Sequence, residues 1–310
     1  MAQKKLNHKP GAERNKYAPD VIERYDVRVD SPTKLLDFLL ASMPQRKRTA
    51  VKALLKHNQV AVNGMPTTQF DHELTEGDEV KVNLTREFHV FYNRRVKLVY
   101  EDDDIIVIEK GYGLLSVSTE KVKDGTAYSI LRDYVKWSDP RNKLFIVHRL
   151  DRHTSGLMMF AKNPEAKERM QHNWNNMVLN RKYVCVVEGV PEPAEGTVRS
   201  YLAENSEYLM YSTDNHAEGQ LAVTRYSTLR ARNGYALMEV ELDTGRKNQI
   251  RVHMHDLGHP IAGDRRYEAK TSPIHRLALH ARTLRFVHPV TGKEMSFETP
   301  VPAAFEKMVK

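Results

Sequence analysis

The chain has 310 residues and a formal net charge of +8 at pH 7. No apolar run approaches the roughly 20 residues of a membrane helix, and the N-terminus lacks the apolar core of a secretory signal. The lone Cys185 excludes an internal disulfide and a zinc site of paired cysteines. We therefore expect a cytoplasmic protein that does not engage membranes. The positive charge favours a polyanionic partner, foremost nucleic acid, although solubility alone also explains a basic chain.

Residues 1–20 form a basic, apolar-poor tail. Five cations, Lys4, Lys5, Lys9, Arg14 and Lys16, outnumber the acidic residues Glu13 and Asp20. This composition predicts disorder, either as a solvated extension or as a non-specific tether to phosphates.

Residues 27–88 predict a small αβ module. Ser31-Pro32 is typical of a helix start, a second helix is expected from about Thr49, and Asn63-Gly64 is a strong hairpin signal. Basic residues gather at the helix pair: Arg46, Lys47, Arg48, Lys52 and Lys56. They form either a solvated basic face or a surface for binding nucleic acid.

Residues 89–97 are predicted to be a charged linker, and 98–310 one larger domain. The larger domain contains short apolar segments typical of strands and few helical windows, one of them capped by Asn163-Pro164. No repeat of fixed period and no regular alternation of long helices and strands is present, which argues against a doubly wound sheet. The fold class expected is α+β.

The most informative segment is 148–156, His-Arg-Leu-Asp-Arg-His-Thr-Ser-Gly, between the apolar runs 144–147 and 157–161. Two buried strands would hold this polar loop at both ends. Its one carboxylate, Asp151, lies among Arg149, Arg152 and His153, which favour the ionised form. The alternative is a turn aspartate in an ordinary ion pair.

Two further segments carry candidate residues. In 244–257 an apolar stripe of Ile250, Met254 and Leu257 predicts a helix that places Arg251 beside the stripe, in a site or on a basic surface. In 181–189, a predicted strand, Tyr183 either belongs to the core or lines a site.

Segment 148–156 resembles the His-Arg-Leu-Asp motif of RluA-type pseudouridine synthases, which isomerise uridine in RNA. Segment 244–253 is similar to the family's Gly-Arg-x-His-Gln-Ile-Arg motif, with Asn248 in place of the histidine. Segment 110–113, Lys-Gly-Tyr-Gly, resembles the family's Lys-Pro-x-Gly turn without its proline, and 263–267 and 279–281 match its closing motifs. The module 27–88 resembles an S4 RNA-binding domain, so the resemblance covers nearly the whole folded chain.

The resemblance implies a catalytic domain with a mixed, mainly antiparallel sheet and a central cleft. In the implied reaction the bond from ribose C1′ to uracil N1 breaks, and a bond from C1′ to C5 replaces it. Asp151 would carry this step by stabilising the sugar, adding to it or removing a proton, and the residues leave these roles open. Arg251 would pair bidentately with Asp151, and Tyr183 would stack on the uracil. Two residues would contact substrate: Arg149 at a phosphate or in the vacated base position, and Leu279 against the uracil.

The reaction neither gains nor loses a group, so no cofactor and no metal is expected. Glu101 to Asp104 is read as a solvated turn, and His253 and His255 diverge on a helix. The expected partner is RNA bound by a monomer, most often large-subunit (23S-type) ribosomal RNA in S4-bearing members, with transfer RNA as the alternative. Two rival classes remain: a non-catalytic RNA-binding factor for ribosome assembly, and a base-removing glycosidase, which would need two cooperating carboxylates.

Overall fold

The computed structural model describes residues 21–27, 32–88, 91–120 and 122–310. The basic tail predicted over 1–20 lies outside these residues. Two compact units are present: one holds the described residues through Val62 with 66–88 and 136–142, and the other holds most of the remaining chain. Among the described helices, none is both long enough and apolar enough to cross a membrane.

The first unit is a small αβ structure. Its core consists of apolar side chains from both helices and from the strands, among them Leu39, Val51 and Val80. The elements of this unit are β1 Ile22–Asp26, β2 Thr33–Lys34, α1 Leu35–Ser42, α2 Arg48–Lys56, β3 Val60–Val62, β4 Met65–Pro66, β5 Glu73–Leu74 and β6 Glu79–Asn83. One sheet has the strand order β1-β6-β3-β4, and β2 pairs with β5.

Helix α1 begins later than predicted. Ser31, the expected N-cap, lies outside the described residues, and Lys34 occupies the N-cap position instead. The reason is strand pairing, because the backbone N–H groups of Leu35 and Leu36 donate to the carbonyl groups of His72 and Phe70 (2.8 and 3.0 Å). The hairpin prediction is confirmed: Asn63 and Gly64 have φ values of 48° and 78°, as a two-residue turn with two positive φ angles requires.

The second unit is built on an eleven-stranded sheet with the order β13-β12-β14-β15-β11-β16-β10-β8-β7, with β17 beside β16 and β9 beside β10. Its elements are β7 Val96–Glu101, β8 Ile105–Lys110, α3 Ala127–Ser138, β9 Phe145–Ile146, β10 Ser155–Ala161, α4 Pro164–His172, α5 Trp174–Met177, β11 Val178–Glu188, β12 Glu195–Glu204, β13 Met210–Thr213, β14 Gln220–Arg232, β15 Tyr235–Leu242, α6 Gln249–Asp256, β16 Leu279–Val287, β17 Glu294–Glu298 and α7 Ala303–Met308. The fold is sheet-rich with few helices, as predicted.

The pairing of β10 with β16 positions the loop that carries Asp151, the candidate catalytic residue. Strands β10 and β16 pair in parallel at Ser155↔His280 and Gly156↔Ala281, whereas the other described pairs of this sheet are antiparallel. Gly156 has φ +116°, and a Cβ there would lie 2.1 Å from the Ala281 carbonyl oxygen. Glycine at this position therefore permits the closest approach of the two strands.

The linker expected over 89–97 is shorter than predicted at its C-terminal end. Strand β7 already begins at Val96. The side chains of Val96 and Leu98 are buried in one cluster, while Lys97 between them is exposed. The run of charges at Arg94, Arg95 and Lys97 obscured this alternation in the sequence.

Candidate active site

A cavity of about 350 Å³ brings together all five catalytic and substrate-contacting candidates of the second unit. The loop between β9 and β10 contributes Arg149 and Asp151, and β11 contributes Tyr183. Arg251 comes from α6 and Leu279 from the first residue of β16. Residues separated by up to 130 positions thus line one cavity.

The loop that carries Asp151 is held by its backbone. Ser116 Oγ donates to the Leu150 carbonyl (2.6 Å) and accepts from the Leu150 N–H (3.1 Å). The Thr154 N–H donates to the Asp151 carbonyl (3.1 Å). Within the described residues no hydrogen bond or ion pair engages the Asp151 carboxylate, which is half-buried and faces the cavity. The loop backbone is therefore held in place, and the carboxylate that it carries is open to a substrate.

His148, the first residue of the motif, is a neutral hydrogen-bond acceptor. Its Nε2 accepts from the Met159 N–H (3.0 Å) on β10. Burial, together with the charge of Arg181, lowers the pKa of His148 to about 3. The side chain therefore anchors the loop to the sheet and supplies no proton at neutral pH.

Lys110 is a buried lysine beside the loop. Its side chain is fully buried, and Nζ donates to the carbonyl groups of Leu114 (2.8 Å), Gly111 (3.1 Å) and Arg152 (3.4 Å). Burial lowers the pKa of Lys110 to about 7; the negative charge of Asp151 opposes this shift and Arg276 adds to it. The sequence analysis included Lys110 in segment 110–113 but assigned it no role. Its burial could have been predicted, because strand alternation places it on the same face as Ile106 and Ile108.

Arg251 does not form the bidentate pair with Asp151 that the sequence motif implied. Its Nε and Nη2 bind the two carboxylate oxygens of Asp264 (2.6 and 2.7 Å), and Nη1 donates to Asn248 Oδ1 (3.1 Å). Asp264 is only 3% exposed and so requires a cationic partner. Burial opposes ionisation of Arg251, but hydrogen bonds to Asp264, and further the charges of Asp264 and Asp151, raise its pKa.

Two residues that hold Arg251 were not predicted as functional. Asp264 stands just before a 3₁₀ turn at Arg265–Tyr267. Asn248 adopts the left-handed conformation (φ 55°, ψ 16°) at the start of α6, and its amide donates to the Tyr267 hydroxyl (3.2 Å). The Tyr267 ring in turn lies 4.8 Å from the Arg251 guanidinium. Asn248, where the family motif has histidine, therefore positions the arginine in this chain.

Tyr183 and Leu279 contribute to the apolar part of the cavity. Tyr183 is half-buried, and the residues two and four positions further along β11, Cys185 and Val187, are fully buried. Burial raises the pKa of Tyr183; Arg181 opposes this and Asp151 supports it, so the phenol stays protonated. Leu279 is 3% exposed and both packs in the core and lines the cavity.

In the first unit, three of the five predicted cations share one face of α2. Arg48, Lys52 and Lys56 lie four residues apart and line a groove of about 570 Å³ with the ring of Phe70, which is 59% exposed. Arg46 and Lys47 precede the helix and lie outside the lining of this groove. A cationic groove with an exposed aromatic ring suits phosphates and bases.

The described residues contain one cluster with metal-ligand geometry: Asp102, Asp104 and His288 have potential ligand atoms within 4.8 Å of one another. The Asp102 carboxylate already accepts hydrogen bonds from Tyr100, from His288 and from two backbone N–H groups. These bonds lower the pKa of Asp102 to about 2 against the opposing effect of burial. The cluster is therefore accounted for as a hydrogen-bonded turn.

The second unit is thus a sheet-rich domain in which a carboxylate faces a basic cavity. Its sequence matches a known family. Residues 104–256 match the family model described as RNA pseudouridylate synthase. The chain belongs to this family and is an RNA pseudouridine synthase. It is 32% identical to the uncharacterized RNA pseudouridine synthase YlyB of Bacillus subtilis, covering 88% of this chain and 92% of that protein.

Two further similarities are consistent with this membership. The chain is 31% identical to ribosomal large subunit pseudouridine synthase D of Escherichia coli, over 89% of both chains. The solved structure of human RNA pseudouridylate synthase domain containing 4 superposes with a TM-score of 0.56 at 25% identity, covering 68% of this chain and 91% of that one.

Proposed function

We propose that this enzyme isomerises specific uridines of structured RNA, with Asp151 as the single catalytic carboxylate and without a cofactor. Large-subunit ribosomal RNA is the proposed substrate. The observation that carries the proposal is the Asp151 carboxylate, which faces the cavity on a hydrogen-bonded loop and has no hydrogen-bond or ion-pair partner among the described residues, while the neighbouring Arg251 is bound to Asp264.

The geometry supports a reaction that retains the base. A flipped uridine in the cavity would place its uracil between Tyr183 and Leu279, with its sugar towards Asp151. Asp151 would act on the electron-poor sugar or its neighbouring proton when the C1′–N1 bond breaks. After the uracil turns, the C1′–C5 bond forms, C5 loses its hydrogen and N1 gains one. Atoms and electrons balance without an added reagent.

Three arginines at the cavity suit the RNA backbone. Arg149 and Arg246 are exposed, and Arg181 is half-buried at the same wall. We assign phosphate contacts to them, and Arg149 is also placed to enter the stack vacated by the uridine. The S4-like groove of the first unit would add contacts by charge and shape.

Ribosomal RNA is favoured by two observations. The relative from Escherichia coli is named for the large ribosomal subunit and matches over nearly its whole length. The predicted S4-like module also has a basic groove suited to structured RNA. Transfer RNA is tested alongside as the alternative substrate.

The experiment is release of tritium from 5-tritiated uridine in two transcripts, 23S-type ribosomal RNA and transfer RNA. Wild-type protein should release tritium from the ribosomal transcript, and Asp151→Asn should reduce the rate by at least about 10³-fold, as expected on losing an essential group. Asp214→Asn, an exposed aspartate outside the cavity, is the matched control and should behave as wild type. Release that survives Asp151→Asn, or free uracil in the product, would contradict the mechanism, and release from transfer RNA alone would contradict the substrate.

A further inference from the structure

A second recess adjoins the active-site cavity within the same unit. It has a volume of about 440 Å³, within the range of ligand sites. Arg149, Arg181, Tyr183 and Arg246 line both cavities. A nucleotide strand that delivers a uridine to the first cavity along this shared wall would bring a neighbouring nucleotide to the recess.

One side of the recess carries an aromatic ring held in place. Trp174 on α5 is half-buried, its ring centroid 5.0 Å from that of His148 and 5.7 Å from the Arg181 guanidinium. His148 is itself fixed by the Met159 N–H. A preorganised indole is suited to stack on a nucleobase, because every base offers an apolar face and no ordering cost falls on the ring.

Two amide side chains, Gln171 and Asn175, line the same recess as Trp174. Gln171 donates its amide N–H to the Ile146 carbonyl (3.1 Å), which orients its carbonyl oxygen as the remaining acceptor. Asn175 is exposed and offers both a donor and an acceptor. Amide side chains of this kind read the edges of purines.

The charge of the recess suits the phosphates on either side of such a base. Its one carboxylate, Asp243, is bound by Arg225 outside the recess (2.9 Å). The wall shared with the active site keeps three arginines, at 149, 181 and 246. The net field therefore favours an anionic backbone.

We infer that this recess binds the unpaired nucleotide next to the target uridine, preferably a purine, and so contributes to the choice of target. The inference rests on the proposed function. The base stacks on Trp174, its edge meets Asn175 and Gln171, and its phosphates meet the shared arginines.

The test uses the full chain and a library of stem-loop RNAs, each with one loop uridine flanked by two randomised nucleotides on either side. Modified molecules are identified by carbodiimide-blocked primer extension and sequencing. Wild type should favour a purine at one flanking position by about tenfold, which lies within the discrimination expected of an amide that reads a purine edge. Trp174→Ala and Asn175→Ala should lower that preference to about twofold or less, by reducing kcat/KM on the preferred RNAs.

Asn176→Ala is the matched control, because Asn176 is the exposed neighbour of Asn175 and lies outside the lining of the recess. The Asn176→Ala variant should show the same preference for a flanking purine as wild type. Trp174→Phe should keep most of the preference, which separates loss of stacking from misfolding, and thermal unfolding monitors the fold of each variant.

Two failures are distinguishable. Wild type that modifies no uridine in the library or in ribosomal RNA would overturn the proposed function, and the subsite with it. Wild type that modifies uridine with the same neighbour preference as Trp174→Ala and Asn175→Ala would overturn the subsite alone.

Discussion

Arg251 lies near Asp151 without occupying it, because its guanidinium is bound to the Asp264 carboxylate. The two side chains are 11% and 2% exposed, and the guanidinium uses its planar fork on the Asp264 carboxylate. Asp151 therefore remains open to the substrate while it retains the electrostatic influence of Arg251. An arginine bound directly to Asp151 would have to withdraw before a sugar could approach.

We predict strong energetic coupling between Arg251 and Asp264. Asp264→Asn should lower the free energy of unfolding by about 3–5 kcal/mol, because it leaves a buried guanidinium uncompensated. The double variant Arg251→Met/Asp264→Asn should be destabilised by about 2 kcal/mol less than the sum of the single variants. Urea unfolding measures all three. A matched cycle of Arg251→Met with Asp151→Asn should show little coupling, and a larger coupling in that cycle would contradict the observed pairing.

Lys110 should make stability depend on pH. Its pKa in the folded protein is lowered to about 7 from 10.5, so between these values the unfolded chain binds more protons than the folded one. Stability attributable to this group therefore rises with pH across that window, by at most about 1.4 kcal/mol per pH unit. Below pH 7 both states are protonated and the dependence vanishes.

The measurement compares the melting temperature of wild type with that of Lys110→Met between pH 6 and pH 9. The melting temperature of wild type should rise relative to that of Lys110→Met as the pH rises above 7. Lys97→Met, at an exposed position on the neighbouring strand, is the control. A difference between wild type and Lys110→Met that is independent of pH would show that Lys110 stays charged throughout.

Individual site residues were more predictable from the sequence than their partners. The sequence predicted a polar loop between two strands around Asp151, and this carboxylate does line the cavity; the prediction succeeded because the loop is local in the chain. The partner of Arg251 was assigned wrongly, because Asp264 follows a helix and a loop whose path depends on tertiary packing. The burial of Lys110 was not predicted, because a lysine rarely lies at a fully buried position.

The parallel pairing of β10 with β16 depends on glycine, and Gly156→Ala tests this dependence. A Cβ at Gly156 would lie 2.1 and 2.6 Å from the Ala281 carbonyl oxygen and amide nitrogen, which are backbone atoms and cannot move independently. We expect a loss of several kcal/mol in unfolding free energy, at the upper end for point substitutions. Activity should also fall, because the shift would move Asp151 relative to Leu279.

The matched control is Gly292→Ala. Gly292 also has a positive φ (+71°) but no atom within 4 Å of a Cβ. It should cost only about 1 kcal/mol, the backbone penalty alone. Equal melting temperatures for the two variants would refute the close strand approach.

Elements with strong local signals were predicted well. The Asn163-Pro164 start of α4 is confirmed, with Asn163 Oδ1 accepting from the Ala166 N–H (2.8 Å), and so is the Asn63-Gly64 turn, where both residues have a positive φ. The start of α1 and the first residues of β7 were missed, because distant strand partners fix them. Local propensity contains no information about those partners.

Binding of RNA by the whole protein should depend on salt through the groove of the first unit. Replacing Arg48, Lys52 and Lys56 by Gln removes three exposed cations. If each meets one phosphate, the slope of log K against log salt should become shallower by about 2 to 3. Filter binding of ribosomal transcripts between 50 and 200 mM salt, roughly the range over which the effect is large, measures the slope.

The control replaces three exposed cations outside both cavities, Arg230, Arg232 and Lys307, by Gln, with the same change in net charge. An equal effect of the two triple variants would mean that RNA senses only the total charge. It would then contradict a binding role for the groove.

The parallel strand pair also has a consequence for the newborn chain. Leu279 belongs to β16, which pairs with both β10 and β11, the strands flanking Asp151 and carrying Tyr183. During translation, Asp151 is therefore synthesised well before Leu279, the residue against which a uracil would pack. The pocket is complete only after β16 has been synthesised and has paired, so a shorter translation product lacks the wall formed by Leu279.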